Sequence, residues 1–407
     1  MKLAVVTNGP LSFDGETYLS SRADQWYIDR LAPYFSEVLV CAYTFRKGDL
    51  GYLAASEARF RSTNVRVLEL PFRAREAGVL PKLWRLFQVF CTFCSHLGRW
   101  DLLYIFMPGY PAVLACLVSR LFRKPYFVYL AADWTSEPGV FSRVERLAPR
   151  LLYLLFVRFN GWVEREIVRG AFLVITAGAE LAQKFASVGQ NVQQTFPRLN
   201  LSREEIFVRE DACLTQPIRL LFVGSIIRRK GLEYLLRALA SLIRRACPVV
   251  LTVAGSGDRE NELRRLAKEL QVGDAVQFIG HARGASAVLQ LYREHDIYVL
   301  PTLSEGFPRT LYEAMSQSIP IVTTAVGGIP HLMKHEENAL LVPTRSPEAI
   351  VDAVLRLMSD PPLRRKLIAN GVATVKDVLG KDPGQQIDAL LMEHFPPYQE
   401  WARTRGL

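Results

Sequence analysis

Short apolar runs alternate with longer stretches of helical periodicity along the whole chain. In the first half the runs are Leu3–Thr7, Val38–Ala42, Val65–Leu70, Leu102–Phe106, Tyr126–Leu130 and Phe172–Thr176. In the second they are Leu220–Gly224, Val249–Ala254, Val276–Ile279, Ile297–Leu300, Ile319–Thr323 and Leu340–Val342. Runs this short, mostly apolar and separated by helices, predict parallel strands in βαβ units. The two sets match in size and rhythm, which predicts an α/β fold of two Rossmann-like domains facing across a cleft. The expected divisions are residues 1–200 and 201–385, joined between Thr195 and Glu210. A helical tail, 386–407, is interrupted at Phe395-Pro396-Pro397 and expected to pack back on the first domain.

The most informative segment runs from Ser304 to Met315. It follows the strand Ile297–Leu300 and carries two carboxylates, Glu305 and Glu313, eight positions apart. Pro308 suits a first helical position, and Leu311, Glu313, Ala314 and Met315 are good helix formers. Glu305 is therefore expected in the loop beyond a strand, and Glu313 inside the next helix. In open α/β sheets that crevice is where ligands bind, and free amides at a helix start favour an anion. Acceptor side chains on both sides of a phosphate-friendly helix end suit a nucleotide sugar. A pair of solvated surface glutamates has the same spacing.

A second loop points the same way. The strand Leu220–Gly224 leads through Ser225-Ile226-Ile227-Arg228-Arg229-Lys230-Gly231 into a helix from Leu232. Cations at the positive end of a helix repel it, so an anion is expected there, with Lys230 as its fixed counter-charge. The loop is not a P-loop, since Lys230 precedes the glycine and no Ser or Thr follows to hold magnesium. Ala254-Gly255-Ser256-Gly257-Asp258 imitates a dinucleotide fingerprint, but Glu260 occupies the place of the third glycine.

The 407 residues are half apolar and 22% charged, enough for two substantial cores. No apolar stretch reaches the roughly 18 to 20 residues of a membrane span, and Met1–Thr7 reads as a first strand rather than a signal peptide. The six cysteines lie in apolar segments, which predicts buried thiols in a reducing compartment; Cys91 and Cys94 are expected in the core face of an apolar helix over Leu83–Leu97. His331 and His335, one helical turn apart, read as surface helix rather than a metal pair. The net charge of +10 is uneven: residues 1–200 hold 24 Lys and Arg against 16 Asp and Glu. Arg143, Arg146, Arg150, Arg158, Arg165 and Arg169 would share an arc of about 140° on one helix, interleaved with leucines, Phe156, Phe159 and Trp162. Such a helix suits an anionic membrane surface, or a core-packing helix with a solvated basic face, unless Pro149 and Asn160-Gly161 break it. Nucleic acid is not expected as a partner, because the chain has no basic run, zinc-finger spacing or aromatic RNA-binding signature.

Taken together, Phe222-Val223-Gly224, Arg229-Lys230-Gly231, Val253 to Gly257, Phe278-Ile279-Gly280, Glu305-Gly306-Phe307, Glu313-Ala314-Met315, Pro320-Ile321-Val322 and Gly327-Gly328-Ile329-Pro330 resemble the retaining GT-B glycosyltransferases of family 4. The resemblance spans roughly residues 218 to 360; the first half matches only in rhythm. It implies transfer of a sugar from a nucleotide diphosphate donor to an acceptor hydroxyl, with the anomeric configuration kept and no metal or other cofactor. It implies that Glu313 binds the ribose and Glu305 the donor sugar, that Lys230 binds the diphosphate, and that amides of the turn Gly306-Phe307-Pro308-Arg309-Thr310 hold sugar or phosphate oxygens. Gly255 and the turn at Phe278-Ile279 would face the nucleotide. Many members place arginine where this chain has Ser225, so the diphosphate would rest on Lys230 with Arg228 or Arg229. The glycine-rich turn after the first strand is reduced to Asn8–Gly15, where Gly9 and Gly15 can still let the backbone approach the phosphates. A first-domain histidine common near the donor sugar is not evident; Asp133 stands in that region and either orients the sugar or acceptor or caps the following turn.

The basic, aromatic first domain adds a setting: a cytoplasmic enzyme at the inner face of a membrane, acting on a lipid-linked or polysaccharide acceptor. A nucleotide-sugar epimerase and a non-catalytic nucleotide-sugar-binding partner protein are the alternative expectations.

Overall fold

The computed structural model describes residues 1–407 except 8, 47, 48, 50–57, 72–78, 132–149, 196–198, 200, 283, 306, 307, 406 and 407. It divides into two compact units, Met1–Arg198 with Asp382–Leu407, and Leu199–Lys381. Each of the twelve apolar runs forms a strand.

In the first unit the strands are β1 (Lys2–Val6), β2 (Leu11–Phe13), β3 (Tyr18–Ser20), β4 (Glu37–Arg46), β5 (Ala58–Arg59), β6 (Val65–Leu70), β7 (Leu102–Met107), β8 (Tyr126–Leu130), β9 (Val174–Thr176) and β10 (Val192–Gln194). A parallel sheet runs β6-β4-β1-β7-β8-β9-β10, with Leu3 of β1 opposite Val38 of β4 on one side and Leu102 of β7 on the other. The hairpin β2/β3 and the short β5 attach to the far end of β4. Strands β7 and β8 are buried along their whole length, which is why they read as unbroken apolar runs.

Helices α1 (Arg22–Leu31), α2 (Val79–Ser95), α3 (Tyr110–Leu121), α4 (Arg150–Gly170) and α5 (Ala179–Phe185) connect these strands. One core joins the sheet to α2, α3, α4 and α5 through Val89, Phe93, Ala115, Ile167 and Phe185. The other joins it to α1 and to the chain's last helices through Tyr27, Ile28, Ile387, Leu391 and Tyr398. Asp382 secures that return: its carboxylate accepts from Gly384 N at 2.8 Å and pairs with Arg30 of α1 at 3.0 Å. The first of these contacts caps the helix that follows. A methyl on Gly384 would stand 1.9 Å from the Arg30 carbonyl oxygen, so only glycine allows this approach.

The second unit has β11 (Ile218–Val223), β12 (Val249–Ala254), β13 (Val276–Gly280), β14 (Ile297–Leu300), β15 (Ile321–Thr324) and β16 (Leu340–Val342), all parallel in the order β13-β12-β11-β14-β15-β16. Its helices are α6 (Leu232–Arg244), α7 (Glu260–Glu269), α8 (Ala285–Glu294), α9 (Arg309–Ser316), α10 (Ile329–Leu332), α11 (Pro347–Ser359) and α12 (Pro361–Gly380); α13 (Pro383–His394) and α14 (Pro396–Arg405) belong to the first unit. The chain builds outward from β11 to β13, then returns to lay β14 against the other side of β11. The carboxyl ends of β11 and β14 therefore frame the topological switch point.

Three expectations are corrected. Helix α4 continues through Asn160-Gly161, because Asn160 is buried and its side-chain amide donates back to Phe156 O at 2.9 Å. Arg143, Arg146 and Pro149 lie outside the described residues. Only Cys41 and Cys116 are buried thiols; Cys94, Cys213 and Cys247 are partly exposed and Cys91 is exposed. On α2 the cause is packing through Val89 and Phe93, which turns the other face of the helix outward. His335 is not on a helix with His331: α10 ends at Leu332 and Met333 is extended.

Candidate functional site

The site is built on the two loops at the switch point of the second unit. After β11, Gly224 takes φ +154° and the chain makes a single helical turn, Arg228–Lys230, before Gly231 in the left-handed region starts α6. After β14, Thr302 to Glu305 run alongside. The loops touch backbone to backbone: Leu303 N donates to Arg229 O at 2.6 Å, and a methyl on Gly231 would stand 2.1 Å from Pro301 O.

This contact brings Lys230 and Glu305, 75 residues apart in sequence, into a buried ion pair through Nζ and Oε1. Arg229 Nη1 reaches the other carboxylate oxygen at 3.1 Å and the Ser304 carbonyl at 3.2 Å. Thr302 Oγ1 lies 3.3 Å from Glu305 Oε1 and 3.0 Å from Arg229 O, beneath the pair. Burial depresses the Lys230 ammonium below the ordinary lysine range, and the Glu305 carboxylate beside it opposes that shift. Two cations thus converge on one anion, leaving net positive charge at the crevice. Ser225 and Arg228 are exposed on the same loop.

The loop after β12, which contains Gly255 and Gly257, braces the loop after β11. Gly224 N donates to Ala254 O at 3.0 Å and Ile226 N to Ser256 O at 2.9 Å, while methyls on Gly255 and Gly257 would stand 1.9 Å from Gly224 O and 2.2 Å from Ile226 O. Gly255 N donates in turn to Gly280 O at 2.7 Å, at the end of β13, where Ile279 is exposed and the Arg264 guanidinium lies 4.5 Å over the Phe278 ring.

Helix α9 starts at Arg309. Pro308 is its extended N-cap rather than the first helical residue, with ψ 99°. Gly306 and Phe307 lie outside the described residues, as does Asp133. Glu313, on the second turn of α9, accepts from the phenol of the fully buried Tyr292 at 3.2 Å. Burial raises its carboxyl above the usual carboxylate range, against the pull of Arg309 and the Tyr292 hydrogen bond. A carboxyl that holds its proton more tightly folded than unfolded gives stability that is present below its unfolded pKa and lost as pH rises through the folded one. Glu313→Gln is therefore expected to be more stable than the native chain at pH 7 and indistinguishable near pH 4 in urea titrations. The gain is about 1.4 kcal/mol for each unit of displacement.

In the first unit, Gly9 follows β1 and its carbonyl accepts from Thr7 Oγ1 at 3.0 Å. Gly15 takes φ +111° in the β2/β3 turn, where Asp14 accepts from Glu16 N and Thr17 N at 2.9 and 2.8 Å. Its left-handed backbone therefore serves that hairpin. Thr302 and Tyr292 were not anticipated. Thr302 had a local signal, three residues before Glu305; Tyr292 had none.

Residues 204–373 match the model of the family "Glycosyl transferases group 1". That match covers nearly the whole of the second unit, Leu199–Lys381. Over 185 residues, 45% of this chain and 46% of its relative, the chain is 35% identical to an uncharacterized glycosyltransferase of Methanocaldococcus jannaschii. Over 166 residues, 39% and 40% respectively, the chain is 29% identical to the amylovoran biosynthesis glycosyltransferase of Erwinia amylovora. The chain thus spans under half the length of these curated relatives. Across 97% of this chain and all of the other, the fold resembles HepE of Anabaena, solved in complex with UDP and glucose, with TM-score 0.66 and 19% identity. The architecture is GT-B, two Rossmann-like units. Among the described residues no helix is long and apolar enough to cross a membrane, and no group of three metal-ligating side chains is present.

Proposed function

We propose that the protein transfers a glycosyl group, with retention of anomeric configuration, from a nucleotide diphosphate sugar to a hydroxyl of a lipid-linked or glycan acceptor in cell-envelope or exopolysaccharide synthesis. The observation that carries this reading is the convergence of Lys230 and Arg229 on Glu305 between the ends of β11 and β14. Lys230, Arg229 and the first amides of α9 neutralise the diphosphate as it departs and the anomeric carbon gains positive charge. This positive cluster takes the place that a metal ion fills in other phosphate sites. Glu305 holds the two cations in register, and a carboxylate has about four lone-pair sites, so it can still accept from sugar hydroxyls. Glu313 receives the ribose hydroxyls, its orientation set by Tyr292. UDP is the favoured nucleotide, by analogy with the HepE complex, and the polysaccharide acceptor by analogy with the amylovoran enzyme. The acceptor is presented at an anionic membrane surface, as the basic first unit suggests.

Incubation with labelled UDP-glucose, EDTA and a polyprenyl-diphosphate sugar in detergent is expected to give labelled lipid, and none with Lys230→Ala. Donor binding without turnover would assign the protein as a non-catalytic partner instead, and an epimerised donor without lipid product would assign it as an epimerase.

A further inference from the structure

Three helices on one face of the first sheet turn apolar side chains to solvent; α3 packs against both α2 and α4. On α2, Leu80, Leu83, Trp84 and Phe87 are 80, 55, 61 and 53% exposed. Their spacing puts them on one side of the helix, opposite the buried Val89 and Phe93. On α4, Leu155, Phe159 and Trp162 form a second stripe, each more than half exposed. Leu117 and Leu121 of α3 are exposed as well. The rings pair at the surface, Trp84 with Phe87 at 5.4 Å and Phe159 with Trp162 at 6.0 Å. Single exposed hydrophobics need no explanation, but a cluster on adjoining helices marks a surface that something covers.

Charge selects the partner. Helices α2 and α3 contain no acidic residue. Of the two on α4, Glu164 is buried and Glu166 is paired with Arg120 and Arg169. Lys82, Arg123, Arg158 and Arg165 are exposed on or beside the same helices. A second copy of this chain would bring like charge against like. An anionic bilayer accepts both features, aromatic rings at headgroup depth and cations against lipid phosphates.

We infer that the outer face of α2, α3 and α4 docks on an anionic lipid surface, with Trp84, Phe87, Phe159 and Trp162 inserted among the headgroups. This deepens the membrane-surface acceptor reading above and rests on it for the location of the acceptor, while the docking face itself follows from the first unit.

The test is co-sedimentation of the full chain with vesicles of equimolar phosphatidylglycerol and phosphatidylcholine, beside vesicles of phosphatidylcholine alone. The native chain should sediment with the anionic vesicles, less so when salt shortens the screening length. Trp84→Ser with Phe87→Ser should weaken binding by about tenfold or more, since most of its apolar anchor on α2 is removed. Both side chains face solvent, so the melting temperature and the thermal shift with UDP-glucose should be kept. That shift, read on the same samples, separates failure of docking from failure of the glycosyltransferase reading. Equal sedimentation of variant and native chain, or no sedimentation of the native chain, would overturn the assignment. Self-association without vesicles that the double substitution abolishes would give the face to a second copy instead.

Discussion

Lys230→Ala is expected to lower affinity for the cognate nucleoside diphosphate by about one to two orders of magnitude, because a charge-assisted hydrogen bond contributes roughly 1.5 to 3 kcal/mol. It should also destabilise the second unit, since Glu305 is left buried with Arg229 as its only described cationic partner. Breaking a buried pair from one side costs about 3 to 5 kcal/mol, and the remaining Arg229 contact should hold the loss near the lower end. The two effects separate in a double substitution. Lys230→Met with Glu305→Gln removes both buried charges, so stability in urea should recover toward the native value while nucleotide binding does not. If stability and binding recovered together, the pair would be structural and the diphosphate would lie elsewhere.

Gly255→Ala should unfold the second unit or cost it several kcal/mol, the largest effect expected from adding one methyl group. The φ of Gly255 is +143°, and the new methyl would lie 1.9 Å from the Gly224 carbonyl oxygen. Side-chain-bearing residues rarely adopt such a φ, and the oxygen belongs to a backbone that hydrogen bonds hold in place. Gly280→Ala is the matched control. Gly280 also has positive φ, +72°, but nothing lies within 4 Å of an added methyl. Only the conformational cost of about 1 to 2 kcal/mol should therefore appear. Thermal unfolding of the two variants should differ by several degrees, since about 1 kcal/mol moves the midpoint of a unit this size by roughly 2 to 4 °C.

The central strands were legible because parallel strands buried on both faces leave unbroken apolar runs, and the placement of Glu305 and Glu313 followed from one such run and the helix formers after it. The short β2, β3, β5 and β10 were not, since two or three residues at a sheet edge carry no periodic signal. Lys230 and Glu305 were each singled out, but their pairing was not, because it depends on β14 returning beside β11. The glycines at 255 and 257 resembled a degraded dinucleotide fingerprint; in the fold they admit the neighbouring loop's backbone. Hydropathy also misread α2. An apolar stripe facing a core and one facing outward have the same composition, so only packing reveals that Leu80, Trp84 and Phe87 are uncovered.

The measurement closest to the central claim is calorimetric titration of the native chain with UDP, GDP and ADP, repeated on Lys230→Ala and Glu313→Ala. The site at the switch point predicts saturable binding of one of these nucleotides, weakened in both variants. Absence of binding by all three, or binding that both variants retain unchanged, would contradict it.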